Sequence, residues 1–272
     1  MGSPKRAMVG VGEPASDDQP QVVSALVRGI SILKCFERGE PNLGNQEIAN
    51  RTGLPKPTVS RLTFTLAALG FLSYSPTLEK YSLGVGVLAL SHAFRRSHSI
   101  IEVSRPLMQE LADHTKAAVI LAACDGNQMV LLDICQGDET FYMRLEAGSR
   151  VPHGTTALGR AYLAALPLNQ FEEFLASVRE TCSPAAFRAL KAGILHARRD
   201  YEQFGFCFSL GDWHPDVFAV GVPVISKDGS RVFAFNCSGR VSVVTRERLI
   251  GDIGPRLVVL RNKVLELTGG QF

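Results

Sequence analysis

The stretch GLPKPTVSRL, residues 53–62, decides the fold of the first part of this chain. Gly53 can adopt the left-handed backbone conformation that ends a helix. Pro57 suits the first turn of the next helix, where a backbone N–H has no partner in any case. The stretch therefore predicts a turn between two helices, a short one over residues 45–51 and a longer one over residues 57–69.

The flanking segments extend this turn to a three-helix unit with a hairpin. Asn45 is the predicted N-cap of the short helix. Residues 71–83 alternate apolar and polar side chains around a Ser-Pro-Thr turn, which indicates a β-hairpin. Residues 24–36 predict an amphipathic first helix, because the following apolar residues recur at helical spacing: Leu26, Ile30, Leu33 and Phe36. The whole order is that of a winged helix-turn-helix.

The longer helix has a polar face that suits DNA. Its apolar residues, predicted to face the domain core, are Val59, Leu62, Leu66 and Leu69. No acidic residue lies between Glu47 and Glu79, so this part of the chain offers phosphates a surface without negative charge. The predicted DNA-binding residues are Arg51, Lys56, Thr58, Ser60, Arg61, Thr65 and Lys80.

These residue types predict different kinds of DNA contact. Arg61 is the candidate for reading a base, since its guanidinium can donate to two acceptors of a guanine. Thr58 and Ser60 are candidates for a base or a phosphate contact. Lys56 and Arg51 suit phosphates, which position a protein without specifying sequence. One alternative stays open on the pattern alone, because a three-helix unit with a hairpin also serves as a protein-interaction module.

Length and composition indicate a folded protein of two domains. The chain has 272 residues, 46% of them hydrophobic and 20% charged, which suits two domains with ordinary cores. Its net charge of +3 neither favours nor excludes nucleic acid. Six cysteines without metal-ligand spacing, and the lack of an apolar run long enough to cross a bilayer, predict a cytoplasmic protein with reduced thiols. Residues 1–21, rich in Gly, Pro, Ser and Asp, predict a disordered tail.

The second half of the chain has the pattern of predicted strands and helices that is typical of an α+β domain. Residues 85–97 predict a helix that joins the two domains, and its candidates for dimer contacts, or alternatively for core positions within a domain, are Val85, Leu88, Ala89 and Leu90. The strands and helices beyond it predict one antiparallel-rich sheet flanked by helices. A last helix over residues 246–267 is expected to kink at Gly254-Pro255.

Motifs in both halves resemble one family of bacterial regulators, the IclR family. The segments ALVRGISIL (25–33), QEIA (46–49) and GLPKPTVSRL (53–62) are similar to its opening helix and helix-turn-helix, and YSLG (81–84) is similar to the end of its wing. The segments VPHGTTALGRA (151–161) and AVGVPV (219–224), with Ser238-Gly239, resemble its effector domain. The resemblance covers about residues 22–267.

The resemblance implies how the chain is organised and what it does. It implies a winged helix-turn-helix domain over residues 22–84, a linker helix over residues 85–97 and a GAF-like effector-binding domain over residues 98–272. It also implies a homodimer or homotetramer that binds a near-palindromic operator in double-stranded DNA. We predict a repressor of catabolic genes that responds to a small organic acid or an aromatic compound.

A candidate effector site lies where a loop leads into a helix. Gly154, Thr155 and Thr156 precede a predicted helix, whose first N–H groups would favour a carboxylate. Gly159 would let a ligand or a strand approach closely. By the resemblance, the other walls of the site would be Asp212, Ala219, Asn236 and Ser238.

Other readings of these residues stay open. Asn236 departs from the family pattern, in which acid-binding members often have two small hydroxyl residues. An apolar pocket for an aromatic ring would instead use Phe141, Met143, Trp213 and Phe218. Helix capping and packing would equally explain Thr155, Thr156 and Gly159, and Asp212 would then lie in an exposed loop.

An enzyme is the rival class. The Gly-x-Ser-x-Gly elbow, the phosphate-binding loop and the His-Glu-x-x-His motif are absent from the sequence. The histidines and cysteines lack the spacing of metal ligands. We therefore expect no catalytic residue, no metal site and no cofactor.

Overall fold

We describe the protein from a computed structural model, which describes residues 22–36, 40–137 and 145–272. The chain divides into two compact units between Ser97 and His98. The predicted tail of residues 1–21 lies outside the described residues, as do Phe141 and Met143 of the alternative apolar pocket. Among the described helices, none combines the length and the apolar character that a bilayer crossing requires.

The first unit consists of four helices and a two-stranded hairpin. They are α1 (Ser24–Leu33), α2 (Asn45–Thr52), α3 (Lys56–Ala68), β1 (Leu72–Ser75), β2 (Lys80–Leu83) and α4 (Gly86–Arg96). Gly53, between α2 and α3, has a φ of 69° and forms the predicted left-handed turn. The strands β1 and β2 pair antiparallel with Leu72 opposite Leu83. The predicted winged helix-turn-helix is confirmed.

The core of this unit takes in only part of the apolar stripe that predicted α1. Ile32 of α1 is fully buried together with Ile48 of α2 and Val59 of α3. Of the four apolar residues whose spacing predicted this helix, Leu33 and Phe36 pack against this core, whereas Leu26 and Ile30 are 65% and 45% exposed. Apolar residues surround much of α1, so their spacing predicts a helix without showing which side its neighbours cover.

Two further expectations near α2 and α3 are wrong in detail. The N-cap of α2 is Gly44, one residue before Asn45, and its N–H donates to the Glu47 carboxylate at 2.6 Å. Leu69, predicted to face the core, is 63% exposed. The reason is that α3 ends at Ala68, so Leu69 lies in the turn that follows.

The second unit contains a six-stranded antiparallel sheet and helices. Its elements are α5 (Ser99–Thr115), β3 (Ala118–Asp125), β4 (Gln128–Gln136), β5 (Arg150–Pro152), α6 (Ala157–Ala165), α7 (Leu168–Thr181), α8 (Pro184–Phe204), β6 (Cys207–Leu210), β7 (Val217–Ile225), β8 (Val232–Arg240), α9 (Arg246–Arg248) and α10 (Gly254–Thr268). The strand order is β5-β4-β3-β8-β7-β6, and every neighbouring pair is antiparallel. The antiparallel sheet was predicted, but β5 was not, because three residues are too short to show an alternating pattern.

The two faces of this sheet are covered by separate hydrophobic clusters. Val119 of β3 belongs to one cluster, with residues of α5 and α10, and its neighbour Ile120 belongs to the other, with residues of α6, α7 and α8. This follows from the two-residue period of a strand. α6 lies directly on the sheet at Gly221 of β7, where a Cβ atom would be 2.3 Å from the Ala157 carbonyl oxygen.

The C-terminal helix is interrupted just before the predicted kink. A π-helical turn over Leu249–Ile253 separates α9 from α10, which begins at Gly254. Pro255 lacks the N–H that would continue an α-helical hydrogen-bond pattern through this turn. Gly254 also leaves room for Phe206, whose ring would lie 2.5 Å from a Cβ atom at position 254.

Candidate DNA-binding surface and effector pocket

The N-terminal half of α3 presents polar side chains to solvent. Lys56, Ser60 and Arg61 are exposed, and Thr58 is half-buried. Thr65 is exposed one turn later, and its hydroxyl donates to the Arg61 carbonyl oxygen at 2.9 Å. A recognition helix contacts base edges from its N-terminal half. Arg61 therefore lies on the part of α3 that can enter a major groove.

Two of the predicted DNA-binding residues, Arg51 and Lys80, are already engaged within the unit. Arg51 donates from Nη1 to the Cys35 carbonyl oxygen at 2.9 Å and forms an ion pair with Glu40. Lys80 of the wing places Nζ 3.0 Å from Oε1 of Glu47. The backbone N–H at the N-cap of α2, and then this ammonium, hold the pKa of Glu47 below its usual value. The DNA contacts of Arg51 and Lys80 stay predictions, with part of each charge already balanced.

An aromatic side chain on α3 was missed by the sequence analysis. Phe64 is 73% exposed and follows Arg61 by three residues, so the two lie on neighbouring turns of one helix face. The helical spacing from Arg61 was the available signal. An exposed apolar group on a recognition helix can contact a thymine methyl group.

The second unit contains a pocket between the sheet and the start of α6. Thr156 is the N-cap of α6: its hydroxyl accepts from the Gly159 N–H at 3.1 Å and donates to the Pro152 carbonyl oxygen at 2.6 Å. The polar side chains that line the pocket are Thr156, Ser209, Asn236 and Ser238. Its apolar walls include Ile120, Leu145, Val151, Leu158, Trp213 and Val217.

Half of the predicted effector residues line this pocket, namely Thr156, Ala219, Asn236 and Ser238. The other half do not, and they are Gly154, Thr155, Gly159 and Asp212. Two further lining residues lie across the strands from predicted ones, in a register that only the structure shows. Ile120 is the cross-strand partner of Asn236, and Ser209 is that of Ala219.

The loop before α6 is used for packing instead of lining the pocket. Gly159 lets α6 approach its own loop, since a Cβ atom there would lie 2.2 Å from the His153 Cα. Gly154 lies against Leu190 of α8, whose Cδ1 would be 2.5 Å from a Cβ atom at position 154. The carbonyl oxygen of Thr155 accepts a hydrogen bond from the Ser209 hydroxyl at 2.6 Å.

Asp212 is bound to Arg160 and does not line the pocket. The Arg160 side chain is buried, and its Nη1 lies 2.7 Å from Oδ2 of Asp212. The same guanidinium donates to the carbonyl oxygens of Gly154 at 3.0 Å and of Phe208 at 2.9 Å. Arg160 therefore holds the loop that carries Trp213 at the pocket wall. The one signal in the sequence was an arginine within an otherwise apolar helix, which marks the position without identifying its partners.

The alternative aromatic pocket is corrected at one position. Trp213 lines the pocket, as that alternative predicted. Phe218 packs against the cluster on the opposite face of the sheet. Its neighbours on β7, Val217 and Ala219, line the pocket, so the alternation of the strand turns Phe218 away.

The described lining of the pocket carries no charged side chain. Asn236 is 5% exposed, and its Oδ1 is buried without a hydrogen-bond partner among the described residues. The first N–H groups of α6, of which the Gly159 N–H is capped by Thr156, are the groups that favour a negative charge there. The pocket therefore combines a helix N-terminus, neutral polar groups and apolar walls.

A winged helix-turn-helix unit followed by an α/β unit with a pocket is the architecture of a two-domain transcription regulator. Residues 25–76 match the model of the IclR helix-turn-helix domain, and residues 92–257 match the model of the bacterial transcriptional regulator IclR C-terminal domain. The chain belongs to the IclR family. It is a DNA-binding transcriptional regulator and not an enzyme.

Several relatives extend over most of the chain. The chain is 31% identical to the HTH-type transcriptional regulator TsaQ1/TsaQ2 of Comamonas testosteroni, over 87% of this chain and 85% of that protein. It is 42% identical to an IclR family regulator from Brucella abortus, whose crystal structure matches with a TM-score of 0.85 over 94% of this chain and 96% of that one. An IclR homologue from Microbacterium hydrocarbonoxydans, crystallised with 4-hydroxybenzoate, shares the fold at 19% identity, with a TM-score of 0.70 over 91% of this chain and 99% of that one.

Proposed function

We propose that this chain represses catabolic genes by binding a near-palindromic operator, and that a small organic acid or aromatic compound in the pocket sets its operator affinity. The pocket is the observation that carries the proposal. The N-terminus of α6 suits a carboxylate, and the apolar walls around Trp213 suit a hydrocarbon body. The ligand of the Microbacterium homologue, 4-hydroxybenzoate, is a compound of this kind.

The proposed DNA surface is the exposed side of α3 with the wing. Arg61 would read a base, Lys56 would contact a phosphate, and Thr58, Ser60 and Thr65 would contact bases or phosphates between them. Their exposure on α3 supports this assignment. Binding to the bacterial chromosome would place the protein in the cytoplasm.

A homodimer or homotetramer would account for exposed apolar faces in the first unit. Val85, Leu88 and Leu90 around α4 are 85%, 71% and 59% exposed, so they are not core positions of one chain. Val23 and Leu26 at the start of α1 are each 65% exposed. A near-palindromic operator requires two recognition helices, one for each half-site. Self-association through these faces would supply the second helix.

The test of sequence-specific binding uses sheared DNA from the source genome. Bound fragments are recovered and sequenced for the wild-type protein, Arg61→Ala and Lys56→Ala. We expect one short near-palindrome to be enriched, a loss of roughly 1–3 kcal/mol with relaxed base preference for Arg61→Ala, and a uniform weakening for Lys56→Ala. Affinity should also fall log-linearly with salt. Absence of enrichment at moderate salt would instead favour a protein-interaction module.

The sign of regulation is tested with the recovered operator. A reporter gene placed behind it should be transcribed less when the protein is present, and more when the effector releases the protein. Transcription that rises with the protein alone would identify an activator. The genes beside the operator would show whether the regulated pathway is catabolic.

A further inference from the structure

Asn236 lines the pocket and has one polar atom without a hydrogen-bond partner among the described residues. Its side chain is 5% exposed, and its Oδ1 is buried without a hydrogen-bond partner among the described residues. A buried acceptor without a donor is costly, and native proteins leave few of them. An unpaired acceptor on a residue that lines a pocket therefore points to a bound molecule as the source of the donor.

The neighbours of Asn236 in the sheet cannot supply this donor. Its cross-strand partners are Ile120 on β3 and Gly221 on β7, and neither has a polar side-chain atom. On β8 itself, the next residues on the same face are Ala234 and Ser238, each about 6.5 Å along the strand. The donor has to come from the open side of the pocket.

The open side of the pocket is bounded by the start of α6. Ala157 lies directly on Gly221, where a Cβ atom would be 2.3 Å from the Ala157 carbonyl oxygen, so a larger donor-bearing residue at position 221 has no room. The Thr156 hydroxyl already donates to the Pro152 carbonyl oxygen at 2.6 Å. A ligand between α6 and Asn236 would meet helix N–H groups on one side and an acceptor on the other.

We infer that the effector carries a hydroxyl group that donates a hydrogen bond to Oδ1 of Asn236, so that Asn236 selects a hydroxylated carboxylic acid over the same acid without the hydroxyl. This inference rests on the proposed function, because it assigns the chemistry of the same effector. A site built around a buried hydrogen-bonding group discriminates strongly against an analogue that leaves this group unpaired.

The first experiment needs no ligand. In Asn236→Leu an apolar side chain of similar size replaces the unsatisfied amide, so we expect the melting temperature of the free protein to rise by about 2–4 °C. Asn262→Leu, at an exposed position of α10, is the matched control and should change it by about 1 °C or less. A clear fall of the melting temperature in Asn236→Leu would show that the amide is satisfied in the free protein, and would overturn the inference.

The second experiment compares matched acids by calorimetry with the full chain. The probes are benzoate, its 3- and 4-hydroxy and 4-methoxy derivatives, and the aliphatic pair propionate and lactate. We expect a hydroxylated member to bind about 10–100-fold more tightly than its parent acid. In Asn236→Leu this ratio should fall to near one, and Asn262→Leu should keep the wild-type ratio.

The inference is overturned by equal binding of parent and hydroxylated acids, by an unchanged ratio in Asn236→Leu, or by no binding of any hydroxylated probe. Equal binding of the methoxy and hydroxy derivatives would also do so, because a methoxy group cannot donate. The genomic-DNA experiment on the same preparation distinguishes failure of the hydroxyl assignment from failure of the proposed function. If the operator is still enriched, only the hydroxyl assignment fails, and if it is not, the proposed function fails as well.

Discussion

His153 shows, at the scale of one residue, how burial changes the chemistry of a side chain. Its ring is 2% exposed and lies between Tyr162 and Phe174, with centroid distances of 5.4 and 5.3 Å. Both ring nitrogens are buried without a hydrogen-bond partner among the described residues. Burial lowers the pKa of His153, and the nearby backbone of Asn127 opposes this effect only in part.

This burial predicts a pH dependence of stability. The unfolded chain binds the proton first, because its histidine pKa is near 6.5, so the stabilisation is fully present above about pH 6.5 and is lost as the pH falls toward the folded-state pKa. Urea unfolding between pH 8 and pH 5.5 should show a smaller loss for His153→Phe than for the wild type. His92→Phe, at an exposed position, is the control. Parallel losses in wild type and His153→Phe would refute the assignment.

Gly159 gives a second prediction at this scale. A Cβ atom there would meet His153 backbone atoms at 2.2 Å, which cannot move as a flexible side chain can. Gly159→Ala should lower the free energy of unfolding by about 2–3 kcal/mol. Gly251→Ala, where the structure shows open space, should be neutral or slightly stabilising. The two variants are compared by denaturant unfolding, and equal effects would argue against the packing role of Gly159.

At the scale of secondary-structure elements, boundaries follow from the sequence more closely than attachments do. The helix predicted to follow Thr156 is observed as Ala157–Ala165. Its attachment through Arg160 was not anticipated, because a single arginine in a helix is ordinarily solvated. The structure instead buries it and connects α6 to its preceding loop and to β6. Such an attachment joins residues far apart in the chain, which no local period reveals.

This attachment predicts unequal effects of its two charged partners. Arg160→Met should lower the free energy of unfolding by about 2–4 kcal/mol, since the buried Gly154 and Phe208 carbonyl oxygens lose their donor. Asp212→Asn should cost about 1 kcal/mol or less, because the Asp212 side chain is 46% exposed and water can replace its partner. Trp213, the one tryptophan of the chain, reports the transition by fluorescence. Equal losses would show that the ion pair, and not the carbonyl contacts, dominates.

At the scale of the whole molecule, the two units have separate cores. An effect of the pocket on DNA binding would therefore be a coupling between binding of the acid and binding of the operator. We expect the tightest-binding acid of the calorimetric panel to change operator affinity by about 5–150-fold, and operator DNA to change the affinity for that acid by the same factor. Operator titrations with and without the acid measure the change in operator affinity. Titrations of the acid followed by Trp213 fluorescence, with and without operator DNA, measure the change in affinity for the acid. Two different factors would violate linkage, and two factors of one would mean that the pocket does not regulate DNA binding.

The sequence by itself determined the order of elements apart from β5, the turn at Gly53, the wing and the family. These depend on local backbone preferences and on motifs whose residues are close together in the chain. It also identified Thr156, Ala219, Asn236 and Ser238, which line the pocket.

Only the tertiary structure showed that Ile32 is buried on α1 and that Arg51 and Lys80 already have acidic partners. It also showed that Gly154 and Gly159 are packing positions instead of pocket lining. It separated Trp213 from Phe218, and it showed that Asp212 holds Arg160. These outcomes depend on what lies opposite a side chain across the fold. The physical reason is that burial and pairing are set by contacts between distant segments, whereas sequence patterns report only the preferences of neighbouring residues.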